Sequence, residues 1–272
     1  MAVASARVPV GEMLRSWRRR RSLSQLELSL NAGVSSRHLS FLETGRARPS
    51  REMVLHLAEE LQVPPRERNT LLLAAGFAPL HTERSLQEPE MDLVRGAIDR
   101  FLRAHEPYPA LVVDRYHDLL ASNDALGMLL EGVSPGLLQP PANALRIALH
   151  PEGMARRTLN FGEWSAHLMQ RLHREIQVTA DPRLESLYDE LAGYPGVELS
   201  QPVGQVQAQD IVLPVRLRDG DRELAFFSTL STFGTAVDIT LAELSIEAFY
   251  PANAHTANRL LHDVGAASAT GA

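Results

Sequence analysis

The 272-residue sequence contains no cysteine, which excludes disulfides, thiolate metal sites and thiol nucleophiles. It contains no lysine either; every basic residue is arginine. No apolar run is long enough to span a bilayer. The first residues lack the apolar core of a signal peptide, so the cytoplasm is the expected compartment and no membrane partner is expected. An HExxH signature and a phosphate-cradling glycine loop are also absent. What is present is a composition with 44% hydrophobic and 22% charged residues, that of a soluble globular chain. The length suits one large domain or two ordinary ones and can bury a sizeable core.

The net charge of −6 hides a division. Residues 1–77 carry 12 Arg and 7 Glu, a net of +5, and the remainder carries −11. Such asymmetry suggests a nucleic-acid module joined to an acidic body. Within the basic part, Ser24–Gly45 reads as two short helices joined by a tight turn. Leu28 and Ala32 stand four apart, and Leu39 and Leu42 three apart, so each helix has one inward stripe. Ser24 and Glu27 have capping-box spacing, Ser35 can cap the second helix, and Gly33 suits the turn between them. This is the pattern of a helix-turn-helix, whose second helix enters the DNA major groove. Val10, Leu14 and Trp17 give a preceding helix one apolar face, followed by a basic cluster, Arg18 to Arg21. Ser50 can cap a fourth helix, and Pro64-Pro65 end it and open a fifth that closes at Gly76.

The chemistry of the second helix suits base reading. Arg37, near its start, can reach guanine O6 and N7, Ser36 can reach a base or a phosphate, and Phe41, four residues on, can pack on a thymine methyl. Leu39 and Leu42 already fill the inward face, which leaves Phe41 outward. Arg46 and Arg48 suit backbone phosphates. Gln25, Ser35 and Ser40 complete the candidate DNA-binding set. Gln25, Gly33, Val34, Leu42, Glu43, Gly45 and Pro49-Ser50 together resemble the repressor-type helix-turn-helix of phage repressors and Cro, the XRE family, over about residues 10–77. The resemblance implies that Gln25 serves a phosphate contact, that Ser36, Arg37 and Phe41 face base edges, and that Arg18 pairs with Glu43 in a scaffold role.

Residues 78–90 are polar with two prolines and form the expected linker. Residues 91–272 then read as an α+β domain. A helix over Met91–Ala104 leads into two strands around Ala110–Val113 and Leu119–Ala121, with Asn123 as a candidate cap for a helix through Leu130. Helices follow at 143–153, 160–177 and 181–194, then a Gln-rich link to Ile211. Alternation returns at Ile211–Leu217, Glu223–Phe233, Thr235–Leu241 and Leu244–Tyr250, with a turn signal at 218–221 and a closing helix at Asn258–Asp263. The expectation is a mixed, mainly antiparallel sheet with helices on one side, a PAS-like arrangement.

The segments NALRIALHPEG, LNFGEW, STFGTAVDITLAELSIEAFYP and PANAHTANRLL resemble the ligand-binding domain of MmyB-like (MltR-like) transcription regulators across most of 91–265. Asn253 departs from the acid that many relatives carry. The resemblance implies a PAS-like sensor domain with a pocket for a small apolar ligand, fatty acids being the reported type, and a link to secondary metabolism. Candidate pocket residues are Arg146, His150, Arg157, Phe161, Trp164, Phe226 and Phe233, with Arg146 or Arg157 as partner for a ligand carboxylate. No other cofactor is expected. His150 beside Glu152, and His167 with His173, do not assemble a catalytic or metal signature, so the chain is expected not to be an enzyme.

The combined expectation is a multidomain, cytoplasmic, ligand-responsive regulator of double-stranded DNA. A homodimer is expected, held by the acidic second domain because residues 1–77 show no obvious extra apolar face. Two other functions remain open at this point: an acyl-processing enzyme with an appended DNA module, and an antitoxin-like protein-interaction module.

Overall fold

The computed structural model describes residues 8–200, 212–234, 236 and 238–261. Most of the expected Gln-rich link, Thr235 and the end of the expected closing helix lie outside these residues. The chain divides into two compact units with the main break between Glu83 and Arg84.

The first unit is built from five helices: α1 (Val10–Arg20), α2 (Gln25–Asn31), α3 (Ser36–Glu43), α4 (Arg51–Glu60) and α5 (Pro65–Ala74). Their starts are set by side chains that accept otherwise orphaned N–H groups. Ser24 accepts from Glu27 N–H at 3.1 Å, and the Glu27 carboxylate accepts from Ser24 N–H at 2.7 Å, a complete capping box. Ser35 and Ser50 cap α3 and α4 in the same way. Gly33 has φ +61° between α2 and α3, where the sharp turn needs the left-handed region. The apolar stripes meet in one core, with Leu14, Leu28, Leu39, Leu42 and Leu57 fully buried. Gly11 is the closest point of this packing: a Cβ there would lie 2.2 Å from the Leu42 carbonyl oxygen, so α1 rests directly on the backbone end of α3.

One surface expectation is corrected. Leu26 and Leu30, four apart on α2, are 61% and 71% exposed, so this unit does carry an apolar pair outside its core. In the sequence this outward pair is interleaved with the inward leucines of the same short helix, which alone define its core stripe.

The expected linker is fastened within each unit. Asn69 of α5 accepts from Leu80 and His81 N–H through its side-chain oxygen and donates to the His81 carbonyl. In the second unit Arg95 donates to the carbonyls of Leu86 and Glu88.

The second unit opens with α6 (Asp92–His105) and the hairpin β1 (Ala110–Val113) and β2 (Leu119–Ser122). Four helices follow: α7 (Leu126–Leu129), α8 (Ala144–Leu149), α9 (Phe161–Thr179) and α10 (Pro182–Ala192). Then come β3 (Val215–Asp219), β4 (Arg222–Thr232), a short α11 (Ile239–Ala242) and β5 (Ser245–Pro251), with a final helix over 254–261. The five strands lie in the order β2-β1-β5-β4-β3, and all four pairings are antiparallel. β3 and β4 form a two-residue hairpin in which Asp219 faces Arg222 and Gly220 takes φ +59°.

The sheet is covered on both faces, not on one. Ala110 and Val112 of β1 pack with Ile98 and Leu102 of α6, while Leu111 and Val113 pack with α8, α9 and α10 residues on the opposite face. Four consecutive buried residues in β1 are the signature of such a doubly covered strand. Two local expectations also change. Asn123 is no helix cap: it accepts from Ala110 N–H and donates to the Tyr108 carbonyl, clamping the chain where β1 begins. Ile239 to Leu241, expected at the end of a strand, belong instead to the helix α11. The alternation there was shared by a one-turn helix too short to show its own period.

Replacing Gly11 by Ala should lower folding stability by about 1–3 kcal/mol, the cost of overpacking a close backbone contact. Urea unfolding followed by far-UV circular dichroism measures it, with an unchanged midpoint opposing the close-contact account.

Candidate functional site

The outer face of α3 carries the residues expected to read bases. Arg37 is exposed and Ser36 and Phe41 are half-buried. The Arg37 guanidinium lies 5.4 Å from the Phe41 ring centroid and that of Arg46 lies 6.0 Å from it. Phe41 therefore has two guanidiniums within cation–π reach of its ring. Arg46 and Arg48 are exposed just beyond α3. Ser36 Oγ is 2.7 Å from Ser29 Oγ, which ties α3 to α2. Ser35 spends its hydroxyl on the cap, and Ser40 is half-buried with its carbonyl accepting from the Thr44 hydroxyl at 2.7 Å.

Behind this face lies a buried ion pair. Arg18 donates to both carboxylate oxygens of Glu43, at 2.6 and 2.9 Å, and to the Leu23 carbonyl at 2.8 Å. Gln25 donates to the same carboxylate at 2.7 Å. The Arg18–Glu43 scaffold implied by the resemblance is thus present, and it links α1, the start of α2 and the end of α3. The basic cluster divides accordingly: Arg21 closes the end of α4 by donating to the Leu61 and Gln62 carbonyls, whereas Arg19 is exposed. Burial alone would push the Glu43 carboxyl up. The hydrogen bonds from Arg18 and Gln25, with the charges of Arg18 and Arg15, outweigh burial and hold it below the ordinary value of 4.5.

The second unit contains a cavity between the sheet and its helical cover. Its empty volume, open mouth included, is about 710 Å³. Its wall is mostly aliphatic and aromatic, drawn from β1 (Leu111, Val113), α8 (Leu145) and α9 (Trp164, Leu168), with Phe249 of β5. Three ionisable residues interrupt that wall: His117, Arg171 and Glu247.

A family model for the MmyB-like transcription regulator ligand-binding domain matches residues 94–261, and a helix-turn-helix model matches residues 14–68. The chain belongs to the MmyB-like transcription regulators. Comparison with curated proteins finds no match. Both matched families are regulator domains, one DNA-binding and one ligand-binding. No helix among the described residues is long and apolar enough to cross a membrane, and no described group of three or more His, Asp or Glu residues is arranged to hold a metal ion.

In this MmyB-like regulator, the seven candidate pocket residues are not gathered at one site. Trp164 lines the cavity. Arg146 is committed to Glu190 through two hydrogen bonds of 2.7 Å, and His150 stands edge-on to Tyr194. Arg157 donates to the carbonyls of Met128, Glu131 and Arg218, acting as a clamp between loops. Phe161 packs at the border of the main core and Phe226 is fully buried within it. Phe233 packs with the α6 cluster on the opposite face of the sheet. Adjacent position in the sequence does not carry an arginine or aromatic to the cavity wall; the strand and helix faces decide that.

His117, Arg171 and Glu247 were missed by the sequence reading, although a signal existed. Trp164, Leu168, Arg171 and Glu175 recur at helical spacing on one face of α9, so two charges occupy positions that an inward stripe would fill with apolar residues. Glu247 likewise sits amid apolar neighbours in SIEAFYP, in register with buried Leu111. His117 has φ +63° at the turn between β1 and β2, an uncommon conformation for a residue with a Cβ. Asp114 holds that turn by accepting from Tyr116 and Asp118 N–H. His117 Nε2 lies 2.8 Å from Glu175 Oε2. Burial would raise the Glu175 carboxyl, but the His117 hydrogen bond and the charges of His117, Arg171 and Arg174 hold it below its ordinary value.

The Glu43 shift has a defined sign. A carboxyl depressed in the folded state contributes stability that is fully present above its unfolded value and is lost as pH falls through the folded one. The stability difference between wild type and Glu43→Gln should therefore be largest above about pH 5 and shrink progressively below the ordinary value of 4.5. Thermal melts at a series of pH values give the comparison; a gap independent of pH would oppose an ionised Glu43 in the buried pair.

Proposed function

We propose that this chain is a ligand-responsive, sequence-specific regulator in which α3 reads an operator and the cavity of a PAS-like domain takes a small apolar ligand. The observation that carries the reading is the occurrence in one chain of an Arg37–Phe41–Arg46 cluster on a matched helix-turn-helix and an apolar cavity in a matched ligand-binding domain. Arg37 supplies base recognition through its two-pronged head. Phe41 orients it and offers an apolar face to a thymine methyl, and Arg46 and Arg48 engage phosphates. The aliphatic wall suits a fatty acyl chain, the ligand class that the family resemblance implies.

A homodimer completes the reading, because helix-turn-helix modules of this kind bind two-fold half-sites about one helical turn apart. Exposed Leu93 and Phe101 on one side of α6 support an association surface on the acidic domain. The ligand acts by binding one dimer geometry more tightly than another, since only a difference in affinity moves such an equilibrium. The domain as a whole functions in the cytoplasm, where the DNA is.

Arg37→Ala should weaken operator binding by about 1–3 kcal/mol and relax preference at one base pair. Selection of binding sites from a random DNA pool, followed by gel-shift titration, reads both effects. Equal weakening on every sequence would reduce Arg37 to a phosphate contact. For the sensor, denaturing mass spectrometry of the purified protein should reveal a bound apolar small molecule. Gel shifts that ignore every added lipid would leave the second domain without a sensory role.

A further inference from the structure

Helix α6 carries two apolar stripes. One, with Ile98 and Leu102, is buried against β1. The other, Leu93, Ala97 and Phe101, recurs every fourth residue on the outward side, with Leu93 85% and Phe101 36% exposed. The apolar surface continues past Phe101 through half-buried rings. Phe101 stacks on His105 with centroids 5.9 Å apart, His105 meets Tyr250 edge-on at 5.0 Å, and Tyr250 stacks on Phe227 at 5.5 Å. Charge divides along the same helix. Glu88 and Glu90 are exposed just before it, and Arg100 and Arg103 are exposed in its second half. Asp92 and Arg95 pair with each other inside the first turn. Asp99, two residues from Ala97, stands on the far side of the helix from the outward stripe.

We propose that the outward face of α6 packs against the same face of a second copy of this chain, with the two helices antiparallel and Ala97 at the two-fold axis. The inference rests on the homodimer proposed above and gives it a geometry. A two-fold interface uses one patch twice, so a residue displaced one way from the axis meets residues displaced the other way. Centring on Ala97 sets Leu93 of each copy level with Phe101 of the other. It also sets Glu90 level with Ala104, within one turn of Arg100 and Arg103. The acidic start of one helix thus lies along the basic end of the other. The parallel alternative sets Glu90 beside Glu90 and Arg100 beside Arg100, a like-charge cost at both ends. Ala97, small between two large neighbours, lets the helix axes approach to about 8 Å. The rings beyond Phe101 widen the contact past a single helix, and aromatic side chains suit such a surface.

The sequence holds no cysteine, so introduced thiols read this geometry directly. Ala97→Cys in the full-length protein should form an intermolecular disulfide under mild oxidation, seen as a dimer on a non-reducing gel. Ala104→Cys should not, because the two thiols would stand about 21 Å apart along the helices. Leu93→Asp should raise the dimer dissociation constant by at least about tenfold in light scattering. Its far-UV circular dichroism should be unchanged, because Leu93 is exposed in the single chain. Cross-linking at both cysteines would mean parallel helices and overturn the arrangement. A dimer that forms no link through Ala97→Cys, or that survives Leu93→Asp undiminished, would overturn it too and leave the homodimer reading intact. A monomeric wild type would overturn both. Should Leu93→Asp not fold, the cysteine pair decides.

Discussion

The second unit is held together by the pairing of β5 between two earlier pieces of chain. β5 bonds to β1 on one side and β4 on the other, so the opening hairpin and the β3–β4 hairpin become one sheet only through β5. Everything functional in this unit depends on that insertion. Leu111, Glu247 and Phe249 reach the cavity because β1 and β5 are in register, with Leu111 opposite Glu247. A slip of one residue would turn Glu247 toward α6 and bring Ile246 and Ala248 to the cavity side. These contacts join residues far apart in the chain, so the loop-closure entropy must be met before they reward folding.

Both units bury a carboxylate against an arginine, with different consequences. Glu43 is met by two Arg18 hydrogen bonds and one from Gln25, a tightly satisfied site. Removing one partner of such a pair strands a buried charge, a larger loss than the pair's net contribution. Glu247 has a close hydroxyl partner in Ser228, but its arginine stands at 3.5 Å. The first arrangement is that of a scaffold. The second leaves polar capacity facing an apolar space, as a recognition site requires.

Much of the helical unit was legible in the sequence because its signals are local. Caps at Ser24, Ser35 and Ser50, the turn at Gly33 and the leucine stripes lie within a few residues of what they control. The hairpin at Gly220-Asp221 was legible for the same reason. The cavity wall was not, since it is assembled from β1, α8, α9 and β5, whose juxtaposition is a tertiary fact. Arg146 and Arg157 stood near suggestive motifs yet serve an ion pair and a loop clamp. The ionisable residues that face the cavity announced themselves only as charges where an apolar pattern should have continued.

The close seating of α1 on α3 at Gly11, joined to the Arg18–Glu43 bridge, has a consequence for signalling. A recognition helix pinned at its far end by backbone contact and buried charge cannot be re-aimed without dismantling the bundle around it. On the proposed reading, a sensory event would reach DNA as displacement of the intact bundle, not as reshaping of its reading surface. In the dimer proposed above, effectors would alter how well two modules span their paired sites while the alphabet each module recognises stays constant.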